Sequence, residues 1–369
     1  MLSIRFLGRC GLAVLLLGVL VLPIHAQRVA KYGADFLGDG VGGRALGMGG
    51  AYVGLVNDVT AGYWNAAGLS SLSYPEVAYM HAERFAGVVS FDYASAAFPV
   101  SSRSTIGISY FRSGVNDIKN TLDAWDPERN QPRPDAESRI RSFSAADAAF
   151  YVSYARNLNG PLNLGVSAKL IRRTIGDFAD AWGYSFDVSL QYRSERFVLG
   201  ANVQDVSTML QTWSINDAAL GNLETVYDTT LPEGGTELVL PVARLGSGYI
   251  LPMGLNSLTL GVDLDVAFDG TQAFAINTGD LSYHPRFGAE FSVRDVVAFR
   301  AGISRVTSSE KYGFDFTPTA GVGLRISQFA IDYGFGDFAG LTSDLGYSHR
   351  LSAQLTLEQP RMKRNEPEN

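Results

Sequence analysis

Asp263 and Asp265 stand on one side of the run "LTLGVDLDVAF". With Asp187 and Glu290 they are the carboxylates most open to a chemical reading. Paired carboxylates serve proton transfer, ion selection or substrate selection, or they neutralise neighbouring arginines such as Arg300 and Arg325. Beyond the signal-like N-terminus the histidines are His81, His284 and His349, far apart in sequence and without metal-ligand spacing. His349 with Ser352 and Asp344 invites a hydrolase reading, but all three fall on one strand and its lead-in. No G-x-S-x-G elbow accompanies them. The glycine-dense stretch "RALGMGGAYVGLVNDVTAGYWNAAGL", residues 44–69, invites a phosphate loop. Gly47, Gly49 and Gly50 do not give G-x-G-x-x-G, since Tyr52 stands where the last glycine belongs, and no Lys-Ser/Thr pair follows. No nucleophile–base pair is visible. The sequence therefore points to no catalytic residues, no metal, no cofactor and no enzymatic activity.

The elements that carry these residues are strands. "YSFDVSLQY" alternates with period two: Tyr184, Phe186, Val188, Leu190 and Tyr192 oppose Ser185, Asp187, Ser189 and Gln191. "LTLGVDLDVAF" and "RLSAQLTLE" repeat the pattern. Fourteen such segments are expected, at 76–83, 87–98, 104–113, 144–156, 162–173, 181–193, 196–205, 238–250, 257–268, 281–292, 296–304, 317–326, 328–335 and 347–358. Pro241, Pro285 and Pro318 fall within or near them and weaken those assignments, because proline cannot donate to a ladder.

Alternation alone does not separate a soluble sandwich from a membrane barrel, in which the apolar face meets lipid and the polar face lines a lumen. The connections help. Those after even strands are short ("PVSSR", "NLNGP", "SE", "LPMGLN", "VRD", "SQ"), whereas 114–143, 206–237, 269–280, 305–316 and 336–346 are long. Short periplasmic turns opposite longer outer loops mark an outer-membrane barrel. An even strand count then places both termini in the periplasm. Tyr184 and Tyr192 on one apolar face, with Phe91, Tyr93, Phe150, Tyr154, Tyr249, Phe329 and Tyr333 near other strand ends or faces, fit interfacial girdles. The reading is all-β: a transmembrane antiparallel barrel of about 14 strands with an N-terminal plug, in the bacterial outer membrane and surrounded by its lipids. The long loops 114–143 and 206–237 carry Trp125, Leu210 and Trp213, expected to be exposed and to meet a partner.

Bulk properties agree. The chain has 369 residues, a net charge of -7, 46% hydrophobic and 11% aromatic residues. The acidic balance excludes the basic footprint of a nucleic-acid binder. Residues 1–26 read as a signal peptide, with Arg5 and Arg9 before the apolar run Gly11–Leu22 and cleavage after Ala26. The only cysteine, Cys10, lies in that segment, so the mature chain has no disulfide. The expected division is 1–26 signal, 27–75 plug, 76–358 barrel and 359–369 polar periplasmic tail. In the plug, Asp58 is expected to cap a helical turn near Val59 that Gly68 ends, with Tyr63 and Trp64 supplying bulk.

Residues Arg44–Ala51, Asp58, Trp64, Asn65, Ala67, Gly68 and Leu69 resemble the N-terminal hatch of FadL-like outer-membrane barrels, and within them the PorV/PorQ proteins. Ala66 departs from the proline usual there. "DLGYSHRLS", Asp344–Ser352, resembles the last-strand signature of PorV-like proteins at Gly346, His349 and Arg350. The resemblance implies a fourteen-stranded barrel with a plug. In the PorV/PorQ branch it implies a non-enzymatic role in type IX secretion, with the translocon barrel and the C-terminal signal domains of secreted cargo as partners. In the FadL branch it implies uptake of long-chain fatty acids or other hydrophobic molecules.

Overall fold

The computed structural model describes residues 28–29, 35–84, 87–220, 223, 230–269, 275–309, 313–336 and 348–358. The expected signal peptide, the polar tail and Gly346 lie outside the described residues. Among those described, no helix is long and apolar enough to cross a membrane.

Fourteen antiparallel strands form one closed ring. They are β1 (Glu76–Arg84), β2 (Val89–Pro99), β3 (Ser104–Asn120), β4 (Arg141–Asn157), β5 (Leu162–Ile175), β6 (Ala179–Arg193) and β7 (Phe197–Gln204). β8 (Val242–Met253), β9 (Asn256–Ala267), β10 (Leu281–Val293), β11 (Val297–Ser309), β12 (Gly313–Ile326), β13 (Phe329–Gly336) and β14 (Ser348–Thr356) complete the set. Each pairs with the next, and β14 closes on β1 from Glu76↔Thr356 to Glu83↔His349. Closure leaves no sheet edge, the condition for β-structure in a bilayer.

The period-two pattern becomes an inversion of inside and outside. On β6, Tyr184, Phe186, Val188, Leu190 and Tyr192 are 40–53% exposed, while Ser185, Asp187, Ser189 and Gln191 are 0–5% exposed. The apolar row faces out and the polar row faces in, as lipid outside and a filled lumen require.

The connections differ in part from expectation. Both ends of the segment expected as the loop 114–143 are strand: β3 and β4 pair beyond the rim to Asn120↔Arg141, past a bulge at which Asp117 takes φ 59°. Only 121–140 connects them. Segment 206–237 is also not simply a loop. Met209–Ile215 takes over from β7 as the neighbour of β6, with Leu210 opposite Tyr184, and Gly235–Val239 pairs with it in turn. β11 and β12 extend to Ser309 and from Gly313, so most of 305–316 is strand as well. Pairing offered by a neighbouring strand consumed what polarity marked as loop.

Pro285 and Pro318 sit inside strands after all. Pro285 lies beyond Phe287, where pairing with β11 ends, and Pro318 precedes Thr319, where pairing with β13 begins. Each missing N–H therefore falls at the margin of a ladder. Arg28–Val29 pairs in parallel with Glu237–Leu238, in the connection after β7. That is the end of the barrel opposite the one where β1 begins. The expectation that the N-terminal residues share the end with the short turns is corrected for Arg28–Val29.

Candidate functional site

Residues 36–72 lie against the inward face of the strands, and most are buried. This inner segment contains two short helices, α1 (Gly43–Gly47) and α2 (Ala61–Trp64), and a 3-10 turn over Ala66–Ser71. Its glycines explain how a backbone fits so close to a wall. A Cβ on Gly47 would stand 2.9 Å from the Gly321 Cα. Gly49 has φ +65°, and a Cβ there would meet the Ile303 carbonyl oxygen at 2.6 Å. Both positions therefore demand glycine, the second twice over.

Charged side chains fasten the segment. Arg44 donates to both oxygens of Glu290 on β10 at 2.8 Å, and Glu290 also accepts from Arg300 on β11 at 2.5 Å. Arg300 lies 2.7 Å from Asp332 on β13. Burial disfavours the charge on Arg44, yet Glu290 beside it holds the guanidinium pKa well above its ordinary value. Tyr52 donates to Asp58 at 2.6 Å, and burial pushes its phenol well above the usual tyrosine range. Asp263 on β9 accepts the backbone N–H groups of Tyr52 and Val53, each at 2.7 Å. Asp265 pairs with Arg286 at 2.6 Å and lies 3.4 Å from Arg244. The expected partners of these carboxylates were Arg300 and Arg325. Arg300 does pair with Glu290, as expected, and with Asp332 as well; Arg325 is exposed, Asp265 takes Arg286, and Asp187 takes Lys169. Partner choice depends on which strands are neighbours, and sequence spacing does not reveal that.

The turn 58–68 also differs from expectation. Asp58 accepts from Thr60 N at 2.8 Å, fixing the approach to α2 without capping it. Asn65 closes α2 and accepts from Ala67 N at 3.2 Å. It also donates to the carbonyls of Val53 and Leu190, at 3.1 Å each. Gly68 sits within the following 3-10 turn, not at the end of a helix; a Cβ there would meet the Val56 carbonyl oxygen at 2.7 Å. Trp64 and Tyr63 are buried as expected, and Trp64 Nε1 donates to the Val41 carbonyl at 3.0 Å. Gly50, at φ +79°, packs on the Arg286 side chain.

The lumen has two characters. Toward β8–β13 it is ionic, through the carboxylates and arginines just described. Toward β2–β4 it is aromatic. Phe36 of the inner segment stacks on Phe111 with centroids 6.0 Å apart, and Phe91 stacks on Phe111 at 6.0 Å. Tyr63 meets Tyr93 at 6.3 Å and Tyr151 at 6.1 Å. Arg173 lies over Phe36 and over Trp213, and Arg84 over Phe91. A buried triad, Lys169 on β5 with Asp187 on β6 at 2.9 Å and Asp205 just past β7 at 2.6 Å, stands beside this region. Neither the wall nor the triad was foreseen, and Phe91 and Tyr93, expected in an outward girdle, face the lumen instead. Strand parity would have revealed the wall, because Phe91, Phe111 and Tyr151 occupy the parity of polar neighbours such as Ser95, Ser109 and Ser153.

The expected partner-binding residues prove less exposed than assumed. Trp125, Leu210 and Trp213 are each half-buried. Trp213 donates to Glu237 at 3.1 Å, and the Trp125 carbonyl accepts from Arg133 at 3.2 Å. Of the last-strand residues, Arg350 points inward to the Asp39 carbonyl, while His349 points outward.

No family model matches the sequence, and no curated protein matches it. Solved structures do. The CymD monoaromatic hydrocarbon channel superposes with TM-score 0.56 at 11% identity, over 87% of this chain and 98% of that one. The Ralstonia pickettii toluene transporter TbuX gives 0.54 at 14% identity, over 86% and 98%. The Pseudomonas putida toluene transporter TodX gives 0.54 at 12%, over 85% and 96%. The fold is the FadL type of outer-membrane barrel. Identities this low carry the architecture and nothing finer. Within this fold Arg44, Gly47 and Gly49 each meet the inward wall.

Proposed function

We propose that this chain is an outer-membrane channel for hydrophobic small molecules, with residues 36–72 acting as its plug. The aromatic wall carries the reading. A polar lumen is the default inside membrane barrels, and Phe36, Phe91, Phe111, Tyr93 and Tyr151 replace it along one side. Transfer of an apolar solute past such a wall forfeits little of the hydrophobic contact it needs. No group in this reading does chemistry on the solute.

The test is uptake by cells that carry the intact chain in their outer membrane. Accumulation of a labelled fatty acid or of toluene should rise above the level in cells lacking it, and Phe111→Asp should remove the increase. Equal uptake with and without a correctly inserted barrel would overturn the proposal.

Secretion of the PorV/PorQ kind is the second reading. The observation favouring it is the β3–β4 ribbon, 17 residues in each strand, which stands above the neighbouring β2 with its 11. Such a ribbon offers a protein partner a platform that a solute does not need. Recovery of a translocon barrel and cargo with the intact chain, lost when 121–140 is removed, would support it.

A further inference from the structure

Two arginines stand at one level on the lipid-facing side of the wall. Arg112 on β3 and Arg172 on β5 both lie opposite Ala148 of β4, the strand between them. Both point away from the lumen: Phe111 and Ile171 beside them are buried, whereas Tyr110 and Leu170, on the same faces, are 42% and 48% exposed. The row continues on β6 with the exposed Trp182, opposite Arg172. Strand spacing sets the two arginine backbones about 9–10 Å apart.

The row beneath fixes the depth. Tyr110, Phe150, Leu170 and Tyr184 are partners in register across the same four strands, and all face lipid. Tyrosines so placed mark the margin of the apolar band. The arginines come one step beyond it, toward the connection 121–140, and the longer connections of such barrels are extracellular. Arg112 reaches further the same way: its guanidinium lies 3.1–3.2 Å from where a Cβ on Gly114 would stand. Gly114 is opposite Ala146, so Gly114, Ala146 and Ala148 keep the wall low between the two arginines.

Neither guanidinium is engaged within the protein as the inward ones are. Arg44, Arg173 and Arg300 each hold a carboxylate. Among the described residues, no hydrogen bond or ion pair is made by the side chain of Arg112 or Arg172. Asp92, opposite Arg112, is taken by His81 and by the Tyr79 hydroxyl. Asp180, the next lipid-side residue on β6, stands opposite Thr174, one step off Arg172. Arg172 lies 4.9 Å over the Trp182 ring, a stacking that leaves the N–H edges of the guanidinium open.

We infer that Arg112 and Arg172, with Ala148 as the floor and Trp182 as a side wall, bind the phosphorylated headgroup of a lipid in the outer leaflet. Guanidinium matches phosphate through paired N–H donors. A charge on the lipid face is unfavourable in proportion to its depth, and a phosphate at this level supplies the missing counter-charge. Free phosphate would meet the same donors, but the aromatic row directly beneath offers acyl chains a surface that a bare anion does not use.

The experiment is native mass spectrometry of the full chain in detergent micelles, titrated with diphosphoryl lipid A, with lipid A stripped of its phosphates, and with inorganic phosphate. The wild type should hold one diphosphoryl lipid A, at least tenfold tighter than the stripped form. R112Q and R172Q should each weaken it about tenfold, as loss of one charge-assisted hydrogen bond does. R196Q, at a short turn on the opposite end, should leave it unchanged. Heat-modifiable migration on gels confirms that each barrel is folded. Equal binding of the two lipids would overturn the assignment, as would wild-type affinity in the folded R112Q/R172Q double variant. Displacement of lipid A by an equal concentration of inorganic phosphate would also overturn it, since the site would then read a free anion.

Discussion

Glu290 on β10 holds Arg44 of the inner segment through two hydrogen bonds of 2.8 Å, and it shares one of its oxygens with Arg300. One carboxylate thus joins the segment to two strands. Removing it takes from Arg44 the only carboxylate paired with it among the described residues and leaves Arg300 with Asp332 alone, whereas removing Arg44 leaves Glu290 still paired with Arg300. Breaking a buried pair by deleting one partner costs about 3–5 kcal/mol when fully buried, and the half-buried Arg44 argues for the lower part of that range. E290A should therefore raise amide exchange across residues 43–58 more than R44A does, with the strands of both variants still protected. Equal protection in E290A and wild type would show that the contact fastens nothing.

Gly49 offers a cleaner separation of effects. Its φ of +65° is nearly that of Gly254, at +69°, but nothing lies within 4 Å of a Cβ at Gly254. G254A reports the backbone strain alone, about 1–2 kcal/mol. G49A adds collision with the Ile303 and Phe287 carbonyls. Urea titrations in lipid vesicles should find G49A the less stable of the two by about 1–3 kcal/mol, the usual cost of overpacking. Matching midpoints would place the inner segment further from the wall than these contacts state.

Much of this architecture was legible in the alternation of residues. All fourteen expected segments correspond one to one with barrel strands, because each wall position must choose between lipid and lumen, and that choice writes period two into the sequence. What stayed hidden depends on contacts distant in sequence. The ribbon above the rim obeys no lipid constraint, so Asn116–Asn120 looked like loop. The Arg44–Glu290 pair spans 246 residues. The approach of His349 to Glu83 exists only once the last strand closes on the first. The motif at 44–69 was visible, but its reason, glycine seated against glycine, required both walls in place.

The inversion itself can be tested at one strand. Val188 faces outward near the middle of β6, and Ser189 beside it is buried in the lumen. V188R should destabilise the barrel by about 2–4 kcal/mol in vesicles, the range for arginine near a bilayer midplane. V188L should be close to neutral. Should V188R fold as stably as V188L in lipid, the outward row does not meet acyl chains.

The two upper connections should respond differently to deletion. Residues 121–140 join strands already paired with each other, and their contacts are local: Arg133 N to the Ala124 carbonyl, and Trp125 opposite Pro132. Replacing them with a short glycine–asparagine turn forfeits no ladder of the wall, so the barrel should fold and migrate as wild type. Residues 206–237 contain Met209–Ile215, which pairs with β6 from Ala179 to Tyr184. Without it that stretch loses one neighbour, along with the Trp213–Glu237 hydrogen bond and the stacking of Arg173 on Trp213. The second deletion should lower refolding yield and expose Ala179–Tyr184 to amide exchange, while the first does neither. If both variants refold alike with β6 equally protected, Met209–Ile215 is an ornament on the rim and not part of the wall.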